Sequence, residues 1–206
     1  KGYVDRILQT HPENVFLIDK YLDKAVEVDV DAVFDGEQLH IAGMMQHIEP
    51  AGVHSGDSTA VLPPYSLSED VIKTIEVYQQ RIAEAMDIIG FLNVQYAVKE
   101  ETVYILEANP RSTRTIPFIA KATQRPEAEI GVKVMLGAKL KDFDLESKLD
   151  CWAIKEPVFP FNKFPGIKKE LGPEMKSTGE SIYFAKDFND EHFKKPYEFK
   201  NLYLSK

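Results

Sequence analysis

The chain has 206 residues, 44% of them apolar and 28% charged, the proportions of a soluble globular protein of one large domain or one and a half small ones. A net charge of −8 excludes the clustered Lys and Arg that a nucleic-acid surface needs, and no stretch approaches the ~20 consecutive apolar residues of a membrane-spanning helix. The single cysteine, Cys151, excludes a disulfide framework and a thiolate metal cluster, and makes the cytoplasm the expected compartment.

Residues 4–10 predict the tail of a helix, and Val15-Phe16-Leu17-Ile18 predicts a short buried strand. From Ala25 to Phe34 the pattern alternates strictly, with Val26, Val28 and Val30 on one face and Glu27, Asp29 and Asp31 on the other. That period of two predicts a half-buried strand. Asp35-Gly36 is a turn signal, and Gln38 to Ile48 returns as the partner strand. A loop of small residues from Pro50 to Ser58 follows, then Pro63-Pro64.

Ser68 caps a helix with Glu69 and Asp70 in its first turn and Val71, Ile75, Tyr78 and Ile82 at helical spacing, ending before Gly90. Residues 91–98 and 102–109 predict a second hairpin. Pro126 to Leu136 predicts a helix opened by proline and stopped by Gly137, and Trp152 to Val158 a strand. Residues 159–172 read as loop, and residues 185–200 as a linker or terminal helix. Strands grouped with intervening helices predict an α+β fold, an antiparallel sheet with helices on one side.

The second hairpin carries the chemistry. Asn93 and Gln95 share a face of its first strand, and Glu107 and Asn109 share a face of its second. A three-residue loop, Lys99-Glu100-Glu101, is expected to set Gln95 across from Glu107. One carboxylate among amide oxygens is an incomplete cage for a free cation, but it suits a hard divalent ion that arrives with phosphates. Arg111 and Arg114 follow at once, and guanidinium groups bind phosphate or carboxylate in bidentate fashion. On spacing alone, a solvated Glu-x-Asn face beside a surface arginine pair stands as an equal alternative.

The strings Asn93-Val-Gln-Tyr-Ala-Val98 and Tyr104-Ile-Leu-Glu-Ala-Asn-Pro-Arg-Ser-Thr-Arg-Thr115 resemble the ATP-grasp signature of carbamoyl-phosphate synthetase large subunits. Glu27-Val-Asp-Val-Asp-Ala32, Ala51-Gly-Val-His-Ser-Gly-Asp-Ser58, Lys121-Ala-Thr123, Phe161-Asn-Lys-Phe-Pro-Gly166 and Gly172-Pro-Glu-Met-Lys-Ser-Thr-Gly-Glu180 fit the same family in order. The resemblance covers about residues 15–185. Ala-Gly-Val-His-Ser-Gly and Arg114-Thr-Ile-Pro-Phe118 look like the second of the family's two ATP-grasp halves, which phosphorylates carbamate with ATP.

The resemblance implies roles at matching positions. Gln95 and Glu107 would hold one Mg²⁺ or Mn²⁺ and Glu107 with Asn109 a second, both bridging ATP phosphates. Arg111 and Arg114 would steady the transferring phosphoryl group; Glu27 would bind ribose; Lys20 and Leu22 would lie along the adenine. Gly52, Val53, His54 and Ser55 would close on the nucleotide. Glu49, Asp57 and Glu156 match acidic positions that bind the activator ornithine in bacterial members, with a monovalent cation such as K⁺ nearby. A glutamine amidotransferase small subunit is the implied partner, and arginine and pyrimidine synthesis the implied setting.

The same resemblance divides the chain. Residues 1–14 would be the tail of a preceding subdomain, 15–145 the metal- and nucleotide-binding subdomain, 146–184 its C-terminal extension, and 185–206 a linker towards a regulatory domain. The family's glycine-rich phosphate loop would lie upstream of Lys1, so the chain is expected to be a fragment, inactive alone. Two rival readings are another ATP-grasp ligase, of biotin carboxylase or D-alanine ligase type, and a non-catalytic regulatory module that keeps the fold.

Overall fold

A computed structural model describes residues 2–13, 15, 16, 18–163, 166 and 169–187, with only the backbone of residue 3. After α1 (Gly2–Thr10) the chain forms a hairpin of β1 (Val26–Phe34) and β2 (Leu39–His47), then the short β3 (Ala60–Leu62) and α2 (Glu69–Ala85). A second hairpin, β4 (Gly90–Lys99) and β5 (Thr102–Asn109), leads into α3 (Ile116–Thr123) and α4 (Glu127–Met135). Strands β6 (Trp152–Val158) and β7 (Gly179–Ala185) follow. The strands form one sheet in the order β5-β4-β1-β2-β3-β6-β7, every neighbour antiparallel.

Local chemistry explains the elements that the sequence announces. Asp35 Oδ1 accepts from the amides of Glu37 (2.9 Å) and Gln38 (2.7 Å), which closes the first hairpin while Gly36 takes φ +88°. Ser68 Oγ accepts from Val71 N at 3.3 Å, the expected cap of α2. That helix buries Val71, Ile75, Gln79 and Ala83.

Helices lie on both faces of the sheet rather than one. Val28, Val30, Phe34, Leu92, Val94 and Tyr96 pack with Val71, Ile75 and Ala83 of α2. From the opposite face Val33, Met45 and Phe91 pack with Ile116, Phe118 and Ile119 of α3 and with Ile130 and Val134 of α4. Helix α4 comes so close at Gly131 that a Cβ there would lie 2.0 Å from Phe91 Cζ. Because α3 and α4 cover only part of their face, the rest is left to a polar cleft.

Three further features depart from the sequence reading. Strand β1 is buried on both faces, with Asp29 and Asp31 only 5% and 2% exposed, because the acidic side lies under the cleft. The described residues of the run at 15–18 form no buried strand: Val15 is 96% and Ile18 88% exposed, and no described strand runs beside them to complete a ladder. Helix α3 and strands β3 and β7 are unannounced. Three residues are too few to show a period, α3 is apolar on most sides, and β7 opens with Gly-Glu-Ser. Residues 188–206 lie outside the described residues, and with them nearly all of the expected linker.

Candidate active site

The register of three strands builds the floor of the cleft. Asp29 on β1 pairs with Gln95 on β4, which pairs with Glu107 on β5; beside this row Asp31 pairs with Asn93, which pairs with Asn109. Two parallel rows of three polar residues therefore cross the sheet on one face. The Gln95–Glu107 pairing was expected, but the three-residue loop expected to make it would set Gln95 against Ile105 instead. The turn has two residues, Glu100 and Glu101, both at positive φ, with Lys99 opposite Thr102. A regular ladder from that turn would set Gln95 against Leu106. A bulge between Gln95 and Tyr96 leaves Leu106 unpaired and brings in Glu107.

Asn109 Nδ2 donates to Glu107 Oε1 at 2.9 Å, which orients the one exposed carboxylate of the row. The neighbouring acid, Asp31, is enclosed. It accepts from Asn93 Nδ2 (3.1 Å), Thr113 Oγ1 (2.8 Å) and Thr115 Oγ1 (2.5 Å). Burial pushes its carboxyl up, the hydrogen bond from Thr115 pulls it down, and the charge of Asp29 raises it again, leaving it at about 6.

At the adjoining edge, His47 is buried with Nε2 3.2 Å from Asp29 Oδ2 and Nδ1 3.5 Å from Glu27 Oε2. Burial disfavours its charge, but hydrogen bonds to the Asp29 and Glu27 carboxylates outweigh that and raise its pKa. Asp29, despite burial, is held low, chiefly by His47. Glu27 Oε1 also accepts from Gly52 N at 3.0 Å, so the expected ribose ligand anchors the loop as well.

That loop is built rather than slack. His54 Nδ1 accepts from Gly56 N at 3.0 Å and caps a 3₁₀ turn at Ser55–Asp57, while His54 N donates to Gly172 O. Asp57, fully buried, accepts from the amides of Lys176 and Ser177 and ties the turn to the segment before β7. Lys155 on β6, also buried, donates to Ser55 O at 3.1 Å; burial lowers its pKa.

Arg111 and Arg114 project from the turn after β5, and Arg114 Nη1 lies 2.8 Å from Met175 Sδ. Together these groups line one open cleft of about 1250 Å³. It gathers Glu27, Gly52, Val53, His54, Ser55, Gln95, Glu107, Arg111 and Arg114, with Asn109 hydrogen-bonded to Glu107 at its rim. Lys20 and Leu22 are not brought to it; they lie on the segment leading into β1, Lys20 exposed. Glu49 is buried, with Oε2 accepting from Thr59 N, and Glu156 is half-buried on β6.

Sequence reasoning missed Asp29, Asp31, His47, Thr113, Thr115 and Lys155. The alternation that put Asp29 and Asp31 on the face of Glu27 held the signal for the first two. Lys155 sits in an ordinary strand pattern and gave none.

The donor set fits a hard divalent cation. Gln95, Glu107 and Asn109 offer one exposed carboxylate and two amides beside two guanidiniums, which suits an ion that keeps several waters and shares phosphate oxygens. Among the described residues, no group of three or more His, Cys, Asp or Glu could hold a metal by itself. No described helix is long and apolar enough to cross a membrane.

An antiparallel sheet with helices on both faces and an open polar cleft on one is the arrangement of an ATP-grasp subdomain. Solved structures share it. Biotin carboxylase from Campylobacter jejuni, in complex with β,γ-ATP, superposes with a TM-score of 0.68 at 14% identity over 94% of this chain and 49% of that one. N5-carboxyaminoimidazole ribonucleotide synthetase from Thermus thermophilus superposes with a TM-score of 0.69 at 13% identity over 100% and 57%. Within this fold the chain belongs to the family described as "Carbamoyl-phosphate synthase L chain, ATP binding domain", whose profile matches residues 7–143.

The chain is 52% identical over 194 residues to the carbamoyl phosphate synthase large chain of Archaeoglobus fulgidus, covering 93% of this chain and 18% of that one. It is 48% identical over 204 residues to the C-terminal section of the Methanocaldococcus jannaschii large chain, covering 93% and 33%. It thus spans about a fifth to a third of the length of these relatives.

Proposed function

We propose that this chain forms the phosphate-handling wall of the second ATP-grasp domain of a carbamoyl-phosphate synthase large chain, a cytoplasmic ATP-dependent ligase. There a carbamate oxygen attacks the γ-phosphorus of ATP, the bond to the β-phosphate oxygen breaks, and carbamoyl phosphate and ADP leave. The observation that carries the reading is the Gln95–Glu107 pair, with Asn109 beside it, adjoining the turn of Arg111 and Arg114. Similarity to a relative that is itself a C-terminal section supports the choice of the second half.

Gln95, Glu107 and Asn109 would hold Mg²⁺ or Mn²⁺, which neutralises phosphate charge as the γ-phosphoryl moves. Arg111 and Arg114 place fixed positive charge where the transferring group and the carbamate meet. Glu27 and the Gly52–Ser55 loop, pinned to each other, hold the nucleoside end. Positioning and charge stabilisation do most of the work in phosphoryl transfer, so no general base is assigned.

In this reading the remaining wall of the cleft, the regulatory domain and a glutamine amidotransferase subunit come from elsewhere. Glu49, Asp57 and Glu156 belong to an ornithine-type effector site with K⁺ nearby, and the product feeds arginine and pyrimidine synthesis. Asp57, whose carboxylate already accepts two backbone amides, would act there by holding the loop.

The test is carbamoyl phosphate formation from bicarbonate, ammonia and ATP by the full-length chain carrying Glu107→Gln. Loss of one charge-stabilising group predicts a fall of about 100-fold or more. Retention of the wild-type rate would overturn the reading.

A further inference from the structure

Arg114 is flanked by two threonines, and both hydroxyls converge on one buried carboxylate. Thr113 Oγ1 donates to Asp31 Oδ1 and Thr115 Oγ1 to Asp31 Oδ2, while Asn93 Nδ2 holds Oδ1 from the sheet side. Thr113 and Thr115 also lie 2.7 Å apart, Oγ1 to Oγ1. Three features mark this as more than an ordinary buried network.

First, Thr115 occupies the N-cap of α3, where a threonine oxygen ordinarily accepts an amide of the first turn; here it makes no such bond. Its hydroxyl is turned to Asp31 instead. Second, residues 110–115 lie between β5 and α3 with no ladder or helix of their own, so the Asp31 contacts fix the turn to the sheet floor. Third, Thr113 and Thr115 line the same cleft as Arg114, with Asp31 buried behind them.

We propose that Asp31 is a positioning residue that acts through Thr113 and Thr115 to hold Arg114 in register with the Gln95–Glu107 pair. It touches no substrate. It sets where the guanidinium stands when negative charge spreads over the transferring group, and a displacement of about 1 Å there is enough to cost about 100-fold in rate. The proposal rests on the phosphoryl-transfer reading above.

The experiment uses the full-length large chain and follows ATP formation from carbamoyl phosphate and ADP. Thr113→Val with Thr115→Val keeps the shape of both side chains and removes both hydroxyls. The valine pair is expected to lower kcat about 100-fold with the KM for ADP nearly unchanged, and the corresponding serine pair to recover most of it.

In an Arg114→Met background the valine pair is expected to cost less than about twofold, since the group it positions is gone. A readout without turnover is amide hydrogen exchange of residues 111–115 in nucleotide-free protein, which should accelerate about tenfold or more.

Near-wild-type kcat for the valine pair, or a full additional loss in the Arg114→Met background, would overturn the proposal. If Arg114→Met alone keeps the wild-type rate, the functional reading fails and the proposal with it. If Arg114→Met is crippled and the valine pair is not, only the proposal fails. Should the valine pair be insoluble, Thr113→Val alone decides: a loss of about tenfold supports the proposal, and no loss overturns it.

Discussion

Gln95 stands directly across from Glu107 because Leu106 bulges out of the β4–β5 ladder between them. The bulge leaves Glu107 facing the cleft beside Asn109, whose amide donates to Glu107 Oε1 at 2.9 Å. The carboxylate is thus aimed by a neighbour on its own strand.

Asn109→Ala removes that donor and one candidate metal oxygen. The expected result in the full-length chain is a rise of about 10- to 100-fold in the Mn²⁺ concentration needed for half-maximal activity, the size seen when a ligand loses its orienting partner. An unchanged metal requirement would place Asn109 outside the ion's surroundings.

The proton balance of Asp31 gives a stability prediction. Its carboxyl is raised from 3.8 to about 6 in the folded chain, so the folded state binds its proton more tightly than the unfolded one. That contribution is fully present below pH ~4 and is lost as pH rises through about 6, an order-of-magnitude change of ~3 kcal/mol. Asp31→Asn cannot titrate. Urea unfolding at half-unit steps from pH 4 to 7 should therefore show the wild type losing stability relative to the variant across that window. Parallel curves would remove Asp31 as the cause.

A second buried charge cluster stands away from the cleft. Arg125 donates to Glu127 Oε1 (2.7 Å), Leu145 O (2.6 Å) and Ala42 O (2.8 Å), and His40 Nε2 lies 3.1 Å from Glu127 Oε2. Glu127 is fully buried at the first turn of α4. Arg125→Ala strands that carboxylate and frees two carbonyls, so a loss of about 3–5 kcal/mol is expected in denaturant unfolding. A cost below ~1 kcal/mol would mean that water or His40 compensates.

The hairpins, the cap of α2 and the polar faces of β1 and β4 were legible in the sequence because period-two alternation and turn chemistry are local. Alternation also put Glu107 and Asn109 on one side. It could not give the bulge at Leu106, since a bulge has no composition of its own and is fixed by how the strands pair. The apolar run at residues 15–18 read as a strand for the same reason in reverse: a run shows preference, and a ladder needs a neighbour.

The candidate site pattern was carried by motif, and its supports were not. Lys20 and Leu22, placed by resemblance alone, lie off the cleft, while Asp31, Thr113 and Thr115, spread over more than eighty residues of sequence, meet within hydrogen-bond distance. Contacts that distant in the chain have no local signature.

The most direct measurement runs two partial reactions side by side on the full-length chain carrying Glu107→Gln: ATP formation from carbamoyl phosphate and ADP, and ATP hydrolysis driven by bicarbonate. If Gln95, Glu107 and the arginine turn handle phosphate for carbamate, the first falls by about 100-fold or more and the second stays within about twofold of wild type. Loss of bicarbonate-driven hydrolysis with ATP formation intact would contradict that assignment.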